Sequence, residues 1–360
     1  MGVSLVSNLS QFFSELEWRT VTQIYKGKYT VFGDNINPED MSQKSLGDCY
    51  FMAAVAALCE EPGRIQRLFL SREPNQQSLF AVRICVYGTW EVVFLDDWFA
   101  VDPFTGYTSA FSCTTNNQIW LMLLLKAWAK IFGGYLNISG GTCLEALTDL
   151  TGSPCSHLEV SSTNETDSQQ NWQSLVEASQ NKFPVCVSAR KFSTVDKDQK
   201  DPESGIITDH CYAVLGAFEV VWDEKSQQYS LAQDPQKPGG GSQRILKLRN
   251  PWGESGYRID WFEKNKTQQS AELKHQMLKT DTASNKQVSV LFVEYNHFLR
   301  LFSGIDICMF RPEYELSSTR LESFPDKPMV LSFEVKVAGL YYVSLHQISA
   351  RAFKDSESRH

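Results

Sequence analysis

A single stretch, Gln43-Lys-Ser-Leu-Gly-Asp-Cys-Tyr-Phe51, runs directly into the apolar helical segment Met52 to Leu58 and so commits a thiol to the first turn of a buried helix. Gly47 lets the chain turn sharply ahead of it. The unpaired N–H groups and partial positive charge of a helix N-terminus favour Cys49 as thiolate, the nucleophilic form of this side chain. Gln43 supplies a side-chain amide that can donate to an oxyanion beside the Cys49 N–H. A cysteine among Tyr, Phe, Met and Ala is more often a small buried hydrophobe than a nucleophile, so this reading depends on partners elsewhere in the chain.

A thiolate nucleophile needs a base to hold its proton, and the base needs a third group to fix its ring. Six histidines make the search short. His157 follows the loop Thr151-Gly-Ser-Pro154, His275 lies in a polar helix-like stretch, His297 precedes an apolar turn, and His346 and His360 lie in or after a late strand. His210 alone emerges from a polar loop, Val195 to Gly205, and opens a strand-like run, Cys211-Tyr-Ala-Val-Leu-Gly-Ala-Phe218. Such a position is held by a rigid element yet reachable from a cleft. By itself His210 reads equally as a surface residue at a strand end. The segment Ile245-Leu-Lys-Leu-Arg-Asn-Pro-Trp-Gly253 decides between the two. It is a short alternating strand ending in Asn250, which can accept from the ring N–H of His210 and fix its tautomer without adding charge, and in Trp252, which can cover that hydrogen bond.

At 360 residues the chain exceeds one typical core, so two or three domains are expected. Residues 1–40 form a polar and aromatic lead-in, 41–160 a helix-rich lobe carrying Cys49, and 161–311 a lobe carrying His210 and Asn250. The polar segment Ser161 to Gln170 reads as a linker into that second lobe. A helix over Asn171 to Gln180 follows, then strand-like runs at Pro184–Ala189, Cys211–Trp222, Tyr229–Ala232, Ile245–Leu248 and Ser289–Glu294. The fold class is therefore α+β, and the site falls in the cleft between a helical and a β-rich lobe. From residue 312 to 360 the pattern changes again: Met329 to Val337 alternates, Gly339 interrupts, and Leu340 to Gln347 is strand-like.

The nine cysteines are scattered, odd in number and without a CxxC pair, which points to reduced thiols rather than a disulfide framework or zinc site. The first residues, Met-Gly-Val-Ser-Leu-Val-Ser, lack a basic region and a long apolar stretch, and Val6 stands where a myristoylation signal needs Ser or Thr. A cytoplasmic setting is expected. A net charge of −8 and a pI near 5.4 argue against nucleic acid as a partner. Ile119 to Phe132 is intensely apolar but too short to span a bilayer and carries Lys126 and Lys130, so it reads as a buried core helix and no stable membrane insertion is expected.

Taken in chain order, the motifs resemble those of the calpain family, cysteine proteases of the papain superfamily. They are Gln43 with Leu46-Gly-Asp-Cys49, Gly88-Thr-Trp-Glu-Val-Val93 with Asp96-Asp97, Lys126-Ala-Trp-Ala-Lys130, Ser139-Gly-Gly141, Leu150-Thr-Gly152, His210-Cys-Tyr-Ala-Val214 and Arg249-Asn-Pro-Trp-Gly253. The resemblance runs from about residue 18 to residue 310. It implies a papain-like two-lobe core, an endopeptidase acting on protein substrates through a thioester acyl-enzyme, and Cys49, His210 and Asn250 as its triad with Gln43 in the oxyanion hole. By the same carry-over Gly140 and Gly141 line the cleft where an extended substrate backbone pairs, and Asp209 lies beside them on the substrate side. In this family a C2-like β-sandwich follows the core. Residues 312–360 resemble its beginning, cut off at His360, so further domains of a longer chain are expected.

Several positions depart from the family pattern. Asp209 stands where Gly is usual, the usual Glu-Trp pair after Asn-Pro-Trp-Gly is missing while Trp261 keeps its place, and Pro235 to Ser242 reads as a hairpin insertion. Calcium, which calpain cores bind through hard oxygen ligands, is affected most. Asp40 is in register with the carbonyls of the Gly33 to Asn35 turn, but Gln118 replaces the expected glutamate. At the second site Glu263 remains, while Gly256, Val288 and Val290 replace acidic residues. No cofactor is expected to be required, and calcium binding by the core is expected to be weak or absent. Two rival classes remain: a catalytically silent calpain-like interaction module, and a transglutaminase-type acyltransferase, which pairs Cys and His with an acidic third member.

Overall fold

The computed structural model describes residues 15–44, 46–104, 106, 111–192, 200–232, 242–253, 256–265, 267–278, 289–319 and 330–347. Its first lobe is built on α1 (Cys49–Cys59), in which every residue from Tyr50 to Cys59 is buried. A helix apolar on all sides has no solvent face and must sit inside a core. Strands β1 (Phe80–Val86) and β2 (Thr89–Leu95) form a hairpin in register from Phe80↔Leu95 to Val86↔Thr89. Its two-residue turn, Tyr87-Gly88, has φ of 51° and 82°, the left-handed geometry that matches strand twist. This hairpin was not evident as strand within the stretch read as helix-rich.

Helix α2 (Trp120–Ile131) is the expected core helix, with Trp120 and Trp128 fully buried, each contributing about 2–3 kcal/mol through burial. Its two lysines reach the hairpin end: Lys126 donates to the Asp96 carboxylate and to the Trp98 carbonyl at 2.6 Å, and Lys130 to the Phe94 carbonyl at 2.7 Å. Helix α3 (Cys143–Thr151) is capped by Thr142, whose hydroxyl accepts from the Glu145 N–H. All of these elements contribute to one core. No helix of the described residues is long and apolar enough to cross a membrane.

The second lobe is a seven-stranded sheet. In chain order it comprises β3 (Cys155–Glu159), α4 (Glu165–Gln180), β4 (Val185–Ala189), β5 (Cys211–Asp223), β6 (Gln228–Leu231), β7 (Gln243–Arg249), α5 (Gln268–Leu278), β8 (Val290–Glu294), α6 (Tyr295–Leu301) and β9 (Phe302–Cys308). Strands are ordered β8-β7-β5-β4-β9-β3, with β6 on the free part of β5, and all neighbours are antiparallel. The chain enters this sheet at Cys155, ahead of the lobe boundary read at 161. The expected linker also narrows. Only residues 161–164 precede α4, because Asn164 accepts from the N–H groups of Thr166 and Asp167 and the acidic first turn suits a helix N-terminus. The insertion read at Pro235 to Ser242 lies, up to residue 241, outside the described residues.

The lobes are packed together through α1, which lies on β5 and β4. Cys186, Cys211, Ala213 and Cys308 of the sheet join the core of the first lobe. Beside this contact Arg249, 2% exposed, crosses from the end of β7 to Glu39 and, at 3.3 Å, to Glu60. Residues 330–347 contain no strand, so the expected partial sandwich does not form among the described residues. Two short segments with no covering layer among the described residues have nowhere to bury their faces. Val330, Val337 and Leu345 are 72–87% exposed, whereas the Tyr342 ring packs inward, edge-on to Phe183 at 6.3 Å and tilted against Tyr314 at 6.0 Å.

Candidate active site

Cys49 occupies the first position of α1 at the interface of the lobes and is half-buried. Ahead of it, Asp48 is wholly buried, with one carboxylate oxygen accepting from Ser112 Oγ at 2.8 Å and the other without a partner. Desolvation pushes the Asp48 carboxyl up to about 7, against the Ser112 hydrogen bond that lowers it. Below that pH the acid adjacent to Cys49 is neutral and leaves the positive field of the helix N-terminus uncancelled. The sequence reading overlooked this residue because an Asp before a helix looks like an ordinary cap, whereas here its side chain makes no cap hydrogen bond.

His210, 2% exposed, precedes β5 and faces Asn250 at the end of the neighbouring β7. Its Nε2 lies 3.0 Å from Asn250 Oδ1, and that oxygen also accepts the Trp252 backbone N–H at 3.0 Å. An amide oxygen can only accept, so Nε2 carries the proton and Nδ1 is the basic nitrogen. The Trp252 ring lies against the imidazole, with centroids 4.4 Å apart and the planes tilted by 50°. Nδ1 is buried with no hydrogen-bond partner.

The Cys49 thiol is close enough to the imidazole to feel it, but its other neighbour is stronger. Hydrogen-bonding contact with the Cys211 thiol, together with burial, pushes Cys49 well above the ordinary thiol range, while His210 pulls it back. In this arrangement Cys49 is a neutral thiol. Forming the thiolate requires the proton to pass to Nδ1 of His210. Cys211 was not singled out from the sequence; the signal was its position directly after His210.

The side-chain amide of Gln43 donates to the Leu46 carbonyl at 3.1 Å, and its oxygen accepts from the indole N–H of Trp252. One amide hydrogen remains for another acceptor. The Ser139 to Gly141 loop docks behind the nucleophile turn, with the Gly140 N–H on the Gly47 carbonyl at 2.7 Å. Gly140 has φ of 81° and, like Gly141, is exposed, with open space beside it. Asp209 takes φ of 52°, the left-handed conformation that explains why glycine is usual there, and pairs with Lys191 at 3.4 Å on the surface.

The remaining described histidines lie elsewhere: His157 with Asp306 at 2.7 Å on β3 and β9, His275 on α5, His297 on α6 and His346 beside Gly88. His360 is outside the described residues. At the first calcium position, the Gln118 amide donates to the Asn35 carbonyl and the Asp40 carboxylate accepts from Asn116 at 2.6 Å. The position thus holds one carboxylate and one carboxamide. No group of three or more His, Cys, Asp or Glu suited to a metal occurs among the described residues. The side chain of Glu263 lies outside them.

Residues 3–309 match the family model of the calpain family cysteine protease. A calpain-type cysteine protease of Zea mays is 26% identical over 80% of this chain, a calpain of Schistosoma mansoni 27% over 84%, and the human calpain-2 catalytic subunit 25% over 84%. The matched regions cover 12%, 37% and 40% of those proteins, so this chain corresponds to less than half of each.

Proposed function

The chain belongs to the calpain family of cysteine proteases, and from that premise we propose that it is a cysteine endopeptidase acting on protein substrates with Cys49 as nucleophile, His210 as acid–base and Asn250 as the residue that fixes the ring. The observation that carries this reading is the double acceptance by Asn250 Oδ1, which leaves Nδ1 of a buried, Trp-covered imidazole as the free base next to a helix-terminal thiol. From the Cys49 thiol the proton passes to Nδ1 of His210 and an ion pair forms. The thiolate attacks the scissile carbonyl carbon, and the oxyanion is held by the Cys49 N–H and the second amide hydrogen of Gln43. His210 returns the proton to the leaving amine, giving a thioester. It then takes a proton from water, which hydrolyses the thioester and restores the thiol.

Gly140 and Gly141, lacking side chains, let an extended substrate backbone approach beside the nucleophile, with Asp209 at the rim. A carboxamide rather than a carboxylate on His210 favours the protease over a transglutaminase-type acyltransferase. Nine free thiols suit a reducing, cytoplasmic compartment. We assign the core no required cofactor, since the first calcium position presents the Gln118 carboxamide where a second carboxylate would be needed beside Asp40.

The test is labelling of the purified chain with a peptidyl epoxysuccinate in EGTA and then in calcium, against Cys49→Ala. The expected outcome is labelling of Cys49 that is equal in both conditions and abolished in the variant. Labelling only with micromolar calcium would overturn the calcium reading. No labelling faster than that of a free peptide thiol, under either condition, would favour the silent module.

A further inference from the structure

A pocket of about 820 Å³ lies where the segment that follows α1, Glu60 to Arg67, meets the residues that follow β9, Phe310 to Tyr314. Gln43, Cys49, His210 and Asn250 take no part in its lining. Ile36, Phe310, Pro312 and Tyr314 give it an apolar and aromatic wall, with Ile36 and Phe310 themselves buried. Small-molecule sites have this size and this character, an apolar lining with a few placed polar groups that fix the ligand.

The charges in the lining are unevenly matched. Glu61 is held by Arg64 at 3.4 Å and by Lys182 at 3.3 Å, and Glu60 by Arg249 at 3.3 Å. Arg67 has no carboxylate partner among the described residues. Its guanidinium lies 4.7 Å from the centroid of Phe310 and 5.8 Å from that of Trp90, and the side chain is half-buried. A second cation is near: Arg83 shares the Trp90 ring at 5.2 Å and donates its Nε to the Arg67 carbonyl at 2.9 Å. Burial first, and then the like charge of Arg83, make the charged form of Arg67 less favourable than in water. The ring faces offset part of that cost. An anion in the pocket would offset the rest, and two acids already engaged by other cations do not serve as that anion.

We propose that this pocket binds a small amphipathic anion, a carboxylate or phosphate monoester carried on an aromatic or branched aliphatic body, with the oxyanion on Arg67 and the body against Ile36, Phe310 and Tyr314. The guanidinium presents parallel N–H donors to two oxygens of one head, which suits a carboxylate and a phosphate alike. Packing on Phe310 and Trp90 restricts the fork before a ligand arrives, so less ordering is required on binding. The inference is independent of the peptidase reading, since it uses none of the residues assigned to that chemistry.

The experiment is photolabelling of the full chain with 4-benzoylbenzoate, a carboxylate on a benzophenone body, with the cross-links mapped by digestion and mass spectrometry. Cross-links are expected on the peptides carrying Ile36 and Phe310 to Tyr314. Both 2-naphthoate and 1-naphthyl phosphate should suppress them, the tighter of the two naming the preferred head, while uncharged 2-naphthamide should compete on the order of tenfold less well. Arg67→Gln should lower labelling of these peptides on the order of tenfold, and Arg67→Lys, which keeps the charge without the fork, should fall between. Cross-links scattered over other peptides, equal competition by the amide, or equal labelling in Arg67→Gln would overturn the proposal. Mapping and amide competition are read on the unaltered chain, so they decide the matter even if a variant does not fold.

Discussion

His210 has one ring nitrogen committed and one free, and that asymmetry governs what the site can do. Asn250 accepts from Nε2 and from the Trp252 backbone, so the tautomer is set by geometry that exists before any substrate arrives. Gln43 is held in a comparable way: its oxygen is bound to the Trp252 indole and its amide to Leu46, which aims the group across the lobe interface. An oxyanion donor acts chiefly on the transition state. Gln43→Ala should therefore lower kcat on the order of a hundredfold, about 3 kcal/mol in barrier, with little change in KM. Steady-state kinetics on a peptide substrate checks this, and a rise in KM at constant kcat would reassign Gln43 to ground-state binding. The identities of Cys49, His210 and Asn250 were legible in the sequence because each sits at a junction, a helix start or a strand end, that its neighbours announce. The influence of Cys211 on the Cys49 thiol was not, since the residues are far apart in the chain and only packing of α1 on β5 brings their elements together.

Among the elements, α1 shows how a local signal and a buried charge combine. Its apolar run was plain from Met52 to Leu58, but the state of Asp48 depends on Ser112, which no local pattern connects to it. Burial raises the Asp48 carboxyl from 3.8 in the unfolded chain to about 7. The folded protein thus binds a proton that the unfolded chain has released. The resulting stabilisation is fully present below the unfolded value and is lost as pH rises through about 7, amounting to about 4 kcal/mol across the window. Asp48→Asn should flatten this dependence. Denaturant midpoints for both proteins between pH 5 and 8 should diverge, the variant holding its midpoint as the unaltered chain loses stability, and parallel curves would remove Asp48 as the cause. The polar stretch from Ser161 illustrates the opposite difficulty. It lacks an apolar stripe over its first residues and so looks like linker, yet Asn164 starts α4 there, and it is a capping hydrogen bond that decides the boundary.

For the whole molecule, the relation between the lobes is set by packing of α1 on the sheet and by Arg249. This guanidinium is buried with Glu39 and Glu60 of the first lobe, and Ser289 Oγ donates to the same Glu39 carboxylate at 2.6 Å. Removing one partner of such a buried pair leaves an uncompensated charge, so Arg249→Ala should destabilise the protein by about 3–5 kcal/mol. Because Asn250 is the next residue, peptide hydrolysis should fall as well. Chemical denaturation followed by tryptophan fluorescence tests the first part, and a loss below about 1 kcal/mol would mean that the bridge is solvated and contributes little. The same geometry bears on calcium: the lobes are already joined by protein groups, while the first calcium position holds a carboxamide in hydrogen bond to the turn carbonyl.

Family, α+β class and the candidate site residues were already legible in the linear chain, because turns, helix starts and strand ends are written in short-range patterns of glycine, apolar run and polar cap. It also carried the core helix α2, whose apolar face admits no exposed alternative. Which ring nitrogen of His210 is held by Asn250, the burial of Asp48, and the joining of β3 to the sheet of the second lobe emerge only on folding. Each of these depends on desolvation or on a contact between residues distant in the chain. Burial and long-range contact are properties of packing, and a linear pattern does not contain them.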